Sequence, residues 1–154
     1  MVGFGYDSHR IVKGRKLILG GVVVDEEFGS VAHSDGDVVI HSLIDAILGA
    51  LGLGDIGEHF PDSDEKYMDI SSVILLSDVV QMLRERNRKI VNIDLTIVFE
   101  LKKISPFKQQ IKEKLANICG LDAKQINVKA KTNEKMGFIG SGEGIASFCV
   151  CQIE

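Results

Sequence analysis

Apolar positions fall into two rhythms along the chain, and the switches between them mark its elements. In residues 37–51, Ile40, Leu43, Ile44, Ile47, Leu48 and Leu51 recur at three- and four-residue steps, which predicts an amphipathic helix. Gly52 and Gly54 stand where it should stop. Asp37, His41 and Asp45 fall on another face, away from most of the apolar stripe. A second helix is expected from Asp69, Ser71 and Ser72, which can cap it, to about Arg88. Its end carries Arg84, Arg86, Arg88 and Lys89, which suit the negative pole of a helix dipole. A third opens at Ser105-Pro106, runs to about Ile118 and stops at Gly120.

The other rhythm is that of strands. Residues 2–6 read as a short strand, residues 16–25 as a hairpin turning at Gly20-Gly21, and residues 90–99 and 125–131 as two further strands. Residues 145–153 form the last strand, with Ile145, Ser147, Cys149, Cys151 and Ile153 on one face. Residues 26–35 read as an irregular loop and residues 134–144 as a glycine-rich turn region. Residues 54–69 are polar and long for a connector, a length that often accompanies function. Strands interleaved with three helices predict a sheet covered by helices on one face, and without repeats or linkers residues 1–154 read as one domain.

Composition narrows the functional classes. A hydrophobic content of 45% and a charged content of 26% are ordinary for a water-soluble chain. The net charge of -4 argues against a nucleic-acid binder, which is usually basic. No apolar run reaches the length of a membrane span, and no basic-then-apolar leader precedes Val2, so a cytoplasmic location is expected. The three cysteines, Cys119, Cys149 and Cys151, lack C-x-x-C spacing and read as buried small residues rather than zinc ligands.

The candidate chemistry sits at the start of the chain. In an extended segment Asp7 and His9 point to the same side and can bite one ion together, and His41 follows thirty-two residues after His9. One carboxylate with two imidazoles suits zinc and leaves one tetrahedral position open for chemistry. A D-x-H pair alone is common, and a helical histidine is more often structural.

Several further segments resemble one family, the 2-C-methyl-D-erythritol 2,4-cyclodiphosphate synthases. They are Gly5-Tyr6-Asp7-Ser8-His9, Ala32-His33-Ser34-Asp35-Gly36-Asp37, Leu53-Gly54-Asp55-Ile56-Gly57, Phe60-Pro61-Asp62, and Glu134-Lys135-Met136-Gly137-Phe138 with Gly142-Glu143-Gly144. They run in family order from end to end. The resemblance implies an α/β (α+β) fold, a ferredoxin-like sandwich that assembles as a homotrimer. It implies a lyase of isoprenoid precursor synthesis acting on a cytidine-diphosphate substrate. The methylerythritol phosphate would attack the β-phosphorus, closing a cyclic diphosphate and releasing CMP. Such chemistry requires positioning and charge neutralisation rather than a nucleophilic side chain.

Residue roles follow by resemblance. Asp7, His9 and His41 would hold Zn2+, and Glu134 would hold Mg2+ or Mn2+ together with substrate phosphates. His33 and Thr132 would polarise the diphosphate. Ser8 and Ser34, beside these groups, would contact the substrate. Asp55, Ile56 and Gly57 match the ribose contacts, and Phe60, Pro61, Asp62, Ser63 and Asp64 match the segment that grips the methylerythritol hydroxyls. Residues 99–106, with Lys103 and Ile104, match the cytosine loop; Ala130, Lys131, Asn133 and Phe138 complete the contacts. One subunit would supply the zinc ligands with Asp55 and Asp62, and its neighbour the Lys103 loop and residues 131–134.

Two positions depart from the family. Lys131 precedes Thr132 where a hydroxyl residue is frequent, and Ser141 replaces an arginine that lines the trimer's central channel, which puts an effector site there in doubt. The site residues also admit a zinc hydrolase releasing a linear phosphate, or a binding module without turnover. No P-loop is present, which speaks against an ordinary NTPase.

Overall fold

The computed structural model describes residues 1–154. Seven strands and five helices follow in the order β1 Val2–Lys13, β2 Leu17–Leu19, β3 Val22–Asp25, β4 Phe28–Ser30, α1 Val38–Leu51, α2 Ile56–His59, α3 Ser72–Glu85, β5 Ile90–Val98, α4 Lys108–Cys119, β6 Ile126–Lys131, α5 Gly137–Gly140 and β7 Gly144–Ile153. Five strands form one sheet in the order β4-β1-β7-β5-β6. All neighbours are antiparallel except β5 and β6. The β2–β3 hairpin stands apart as a two-stranded sheet. α1 lies on β1 and β7, α4 lies on β6, and α3 packs against both α1 and α4. The architecture is the expected mixed α/β sandwich with helices on one face of the sheet.

Two glycines set the distance between α1 and the sheet. A Cβ on Gly3 would sit 1.8 Å from the Ala46 carbonyl oxygen, and one on Gly5 would sit 1.8 Å from that of Ser42. Only a bare backbone admits this contact. The next inward positions of β1 are Asp7 and His9, so both come within reach of α1. Outward, β1 presents Val2, Phe4 and Tyr6 to solvent, where Phe148 and Val150 of β7 join them.

Several sequence expectations change. β1 does not end at residue 6 but runs to Lys13, because β7 pairs with it from Val2 to Arg10. The stretch of residues 26–35 contains β4, which pairs with Ile11, Val12 and Lys13. The long polar connector of residues 54–69 and the glycine-rich turn region of residues 134–144 each contain one short α-helix, α2 and α5. The second helix starts as expected but stops at Glu85, and Asn87 adopts a left-handed backbone. Ser71 caps it without a side-chain hydrogen bond, and Asp69 is left-handed.

α1 is the largest correction. It is enclosed on nearly every side, with Asp37 fully buried and His41 buried, so the polar face expected to lie outside the core is inside it. Asp37 is made tolerable by saturation: it accepts from Val39 and Ile40 at the helix start and from Gly20 and Gly21 in the hairpin turn. Burial pushes its carboxyl up to about 6, Asp35's charge adds to the rise, and the backbone hydrogen bonds oppose it. Elsewhere the expectation holds: Ile145, Ser147, Cys149, Cys151 and Ile153 all face the core.

Candidate cation centre and two half-pockets

Asp7 and His9 reach from β1 toward His41 on α1. Asp7 Oδ2 lies 2.9 Å from His9 Nε2 and 3.0 Å from His41 Nδ1, and the two nitrogens are 3.2 Å apart. Donors about 2.0–2.1 Å from one tetrahedral zinc would stand about 3.3 Å from each other. The set therefore needs only a slight spreading to hold a cation, and its chemistry, one carboxylate and two imidazoles, fits a borderline metal. With only three protein donors, a fourth position stays open to a ligand.

The electrostatics of the trio favour charge separation. Burial opposes ionisation of Asp7, but hydrogen bonds from His41 and His9 and their charges outweigh it and hold the carboxyl below its usual range. Burial likewise opposes a charged His41, but Asp7's hydrogen bond and charge prevail, helped by Asp37 and Asp35, and raise it. On its far side His41 Nε2 meets Ser72 Oγ at 2.9 Å and Ser34 Oγ at 3.2 Å.

A cavity of about 390 Å3 opens over the trio. Its lining includes His33, Ser34, Ile56, Gly57, Phe60 and Asp62. The Ser34 side chain is buried behind His41, and Phe60 belongs to the hydrophobic core. Asp45 anchors the far wall, accepting the Ile56 N–H at 2.8 Å; burial raises its carboxyl against that bond. Asp55 caps α2 through the Glu58 N–H, and Asp64 caps the turn that follows while pairing with Lys66. Asp55, Pro61, Ser63 and Asp64 stand on the same segment but outside the cavity lining. His33 Nε2 lies 3.4 Å from the Asp64 carbonyl, and His59 Nε2 donates to Leu53.

A second cavity of about 390 Å3 lies elsewhere on the chain and gathers Phe99, Glu100, Lys102, Lys103, Ile104, Ser105, Pro106, Ala130, Lys131 and Thr132. Lys102 is tied to Asp25 at 2.7 Å, whereas Lys103 and Lys131 are exposed and free of ion pairs. The Ile104 side chain is buried in the core, so this residue offers its backbone. The Asn133 N–H donates to Glu100 Oε2, tying the two lining segments together. Thr132 Oγ1 donates to Glu134 Oε1 at 3.3 Å. Glu134 and Lys135 are both left-handed, and Gly140 admits the Lys135 backbone, where a Cβ would come within 2.1 Å. Ser8 and Phe138 line a third, smaller cavity with His9, Arg10, Glu143 and Gly144.

The expected residues thus divide. The chain brings Asp7, His9 and His41 together with His33 and Asp62. It does not bring Glu134 into that donor set, and Thr132 lines a different cavity from His33. Asp35, Ser72, Asp45 and Asp25 support the site, and sequence reasoning gave them no part in it. Asp35 lay inside a matching segment, Ser72 looked like a helix cap, Asp45 shared the helix face of His41, and Asp25 carried no signal.

Fold and site define a mixed α/β protein with a candidate three-donor cation centre at the mouth of a pocket. The chain belongs to the YgbB family, whose model matches residues 1–154. It is 53% identical over 152 residues to a 2-C-methyl-D-erythritol 2,4-cyclodiphosphate synthase of Caldicellulosiruptor bescii, covering 99% of this chain and 97% of that one. It is 51% identical to the synthase of that name from Fusobacterium nucleatum, covering 99% and 96%. A solved synthase in a CDP-bound form superposes with a TM-score of 0.91 at 31% identity, over the full length of both chains. The bifunctional IspDF of Campylobacter jejuni matches with a TM-score of 0.95 at 44% identity; this chain spans 99% of itself and 41% of that longer protein.

Proposed function

We propose that this chain is an enzyme catalysing the reaction its relatives are named for. It converts 4-diphosphocytidyl-2-C-methyl-D-erythritol 2-phosphate to 2-C-methyl-D-erythritol 2,4-cyclodiphosphate and CMP, within non-mevalonate isoprenoid synthesis. A 2-phosphate oxygen bonds to the β-phosphorus as the bond from that phosphorus to the α–β bridging oxygen breaks, and CMP carries the bridging oxygen away. The observation that carries this reading is the convergence of Asp7 Oδ2, His9 Nε2 and His41 Nδ1 at the mouth of a cavity, in a chain of this family.

Asp7, His9 and His41 hold Zn2+, and Glu134 contributes to a second site for Mg2+ or Mn2+. When bound, these cations supply Lewis-acid neutralisation of the phosphates. His33 and Thr132 donate to the diphosphate as charge develops. Asp55 with Ile56 and Gly57 takes the ribose, and Asp62 with its neighbours takes the methylerythritol hydroxyls. Residues 99–106 read the cytosine through backbone groups, and exposed Lys103 and Lys131 offer positive charge to the phosphates. The CDP-bound relative and the CDP complex of the Plasmodium falciparum protein support a cytidine nucleotide as ligand.

The assembly is a homotrimer with each site shared between subunits. Two features support this. The expected contacts fall into separate cavities of one chain, as halves completed by a neighbour would. The outward face of β1 and β7 exposes Val2, Phe4, Tyr6 and Val150, an apolar area suited to burial between copies.

Phosphorus NMR of the protein with substrate, Zn2+ and Mg2+ tests the reaction. A cyclic diphosphate with equimolar CMP is expected. A linear phosphate would assign a hydrolase, and binding without turnover a nucleotide-binding module.

A further inference from the structure

Behind His41, away from the nitrogen that faces Asp7, runs a chain of hydrogen bonds, buried at Ser72 and half-buried at Asp35. Asp35 grips Ser72 at two points. Asp35 Oδ2 accepts the Ser72 N–H at 3.0 Å, and Oδ1 accepts the Ser72 hydroxyl in a short contact. Asp35 Oδ1 also takes the Asp37 N–H at 3.2 Å. Ser72 is fully buried at the first turn of α3, where Ser71 supplies no side-chain cap. The capping acceptor thus comes from a distant loop instead of the helix's own start.

The polarity of this chain is fixed by what each group can do. A carboxylate only accepts, so the proton between Asp35 and Ser72 belongs to Ser72. With its proton so placed, Ser72 Oγ has only lone pairs to offer His41 Nε2, 2.9 Å away. Two lone pairs at that distance would repel, so Nε2 carries the hydrogen. With the Nε2 hydrogen committed to Ser72, Nδ1, 3.0 Å from Asp7 Oδ2 and 3.2 Å from His9 Nε2, is the nitrogen left for a metal; without metal it donates its proton to Asp7, and metal binding displaces that proton. Ser34 Oγ, which takes the Gly36 N–H at 3.3 Å, offers Nε2 a second, longer acceptor.

We propose that Asp35 and Ser72 are positioning residues of the cation centre: together they fix the tautomer and ring angle of His41 so that Nδ1 is ready to bind metal. This extends the metal reading of Asp7, His9 and His41 and rests on it. It also gives α3, which supplies none of the expected ligands, a part in tuning the site. Partners of this kind change metal affinity by about 10–100-fold in metalloproteins.

The test is zinc affinity, measured by competition with a chromophoric chelator on purified protein. Ser72→Ala is expected to weaken zinc binding by about 10–100-fold with the helical circular dichroism intact, and Ser72→Thr, which keeps the hydroxyl, to stay within about threefold of wild type. At saturating zinc the Ser72→Ala turnover should largely return, a recovery that a damaged fold would not give. Wild-type zinc affinity in folded Ser72→Ala overturns the proposal. Should that variant fail to fold, long-range proton–nitrogen NMR of the zinc-loaded wild type decides: a hydrogen on His41 Nε2 is expected, and a bare or zinc-bound Nε2 overturns it. A wild-type protein that binds no zinc removes the metal reading itself, an outcome distinct from zinc binding indifferent to Ser72.

Discussion

The candidate cation half of the site, at Asp7, His9 and His41, stands on a paired strand and a buried helix, whereas the half we propose for the nucleotide, at residues 99–106 and 130–134, stands largely on exposed turns with a left-handed Glu134 beside it. The first is rigid because the core holds it: Gly3 and Gly5 let α1 touch the strand, and Ser72 and Ser34 pin the far side of His41. The second is anchored in the core through Phe99 and Ile104, and its exposed groups are tied by single polar contacts, Lys102 to Asp25 and Asn133 to Glu100. Rigidity falls where three donors must agree to within tenths of an ångström. Exposed turns fall where, in our proposal, a nucleotide and a second subunit must still be admitted.

The contrast can be broken most sharply at His41. His41→Ala should lose bound zinc, read by elemental analysis, and turnover should fall below about one-hundredth of wild type. Lys131→Ala, in the other half, should keep its zinc and raise KM. Equal zinc loss in both would erase the distinction. Mixing the two kinds of subunit offers a finer probe. If sites form between neighbours, a random one-to-one trimer of a metal-half and a nucleotide-half variant regains about a quarter of wild-type activity, since one pairing in four joins two intact halves. Sites confined to single subunits would show no recovery.

Next in size is Gly5→Ala. Its methyl meets the Ser42 carbonyl, so α1 must lift, with about 1–3 kcal/mol lost in urea unfolding and weaker zinc binding. In protein stripped by chelator, the Asp7–His41 pair should shape stability with pH. Asp7, held low, contributes above its ordinary 3.8 and loses its effect as pH falls through its lowered value. His41, held high, contributes fully below its ordinary 6.5 and loses its effect as pH rises through its raised value. Metal-free thermal stability should therefore decline above pH 6.5, and Asp7→Asn should flatten that decline. The smallest effect is expected for Asp25→Asn, which frees Lys102: KM should rise a few-fold with kcat nearly unchanged.

Periodicity made α1, the hairpin and the buried face of β7 legible, because each side chain there reports one neighbour surface. It failed where the neighbour was unusual. β1 continues through polar Asp7, Ser8, His9 and Arg10 because β7 runs beside it, which nothing local announces. The apolar stripe on α1 implied a wet opposite face, yet that face meets the glycine strand and the hairpin turn through Asp37, His41 and Ser42. Spacing and residue type could nominate the three candidate cation donors, but a D-x-H pair alone is common, and the resemblance to one family singled them out. Ser72 was not, because its role comes from an aspartate thirty-seven residues away and a histidine on another helix.

The alternation of β1 has a consequence for how the chain can change. Odd positions carry Gly3, Gly5, Asp7 and His9 toward α1, and even positions carry Val2, Phe4 and Tyr6 to the opposite side. Inserting or deleting one residue ahead of Asp7 would exchange the two sets at once, turning aromatic rings onto the helix backbone and bare glycines outward. Neither surface can be repaired without restoring the other. The strand therefore tolerates substitution far better than any change in length, and grafted segments should be joined in the turns beyond Lys13.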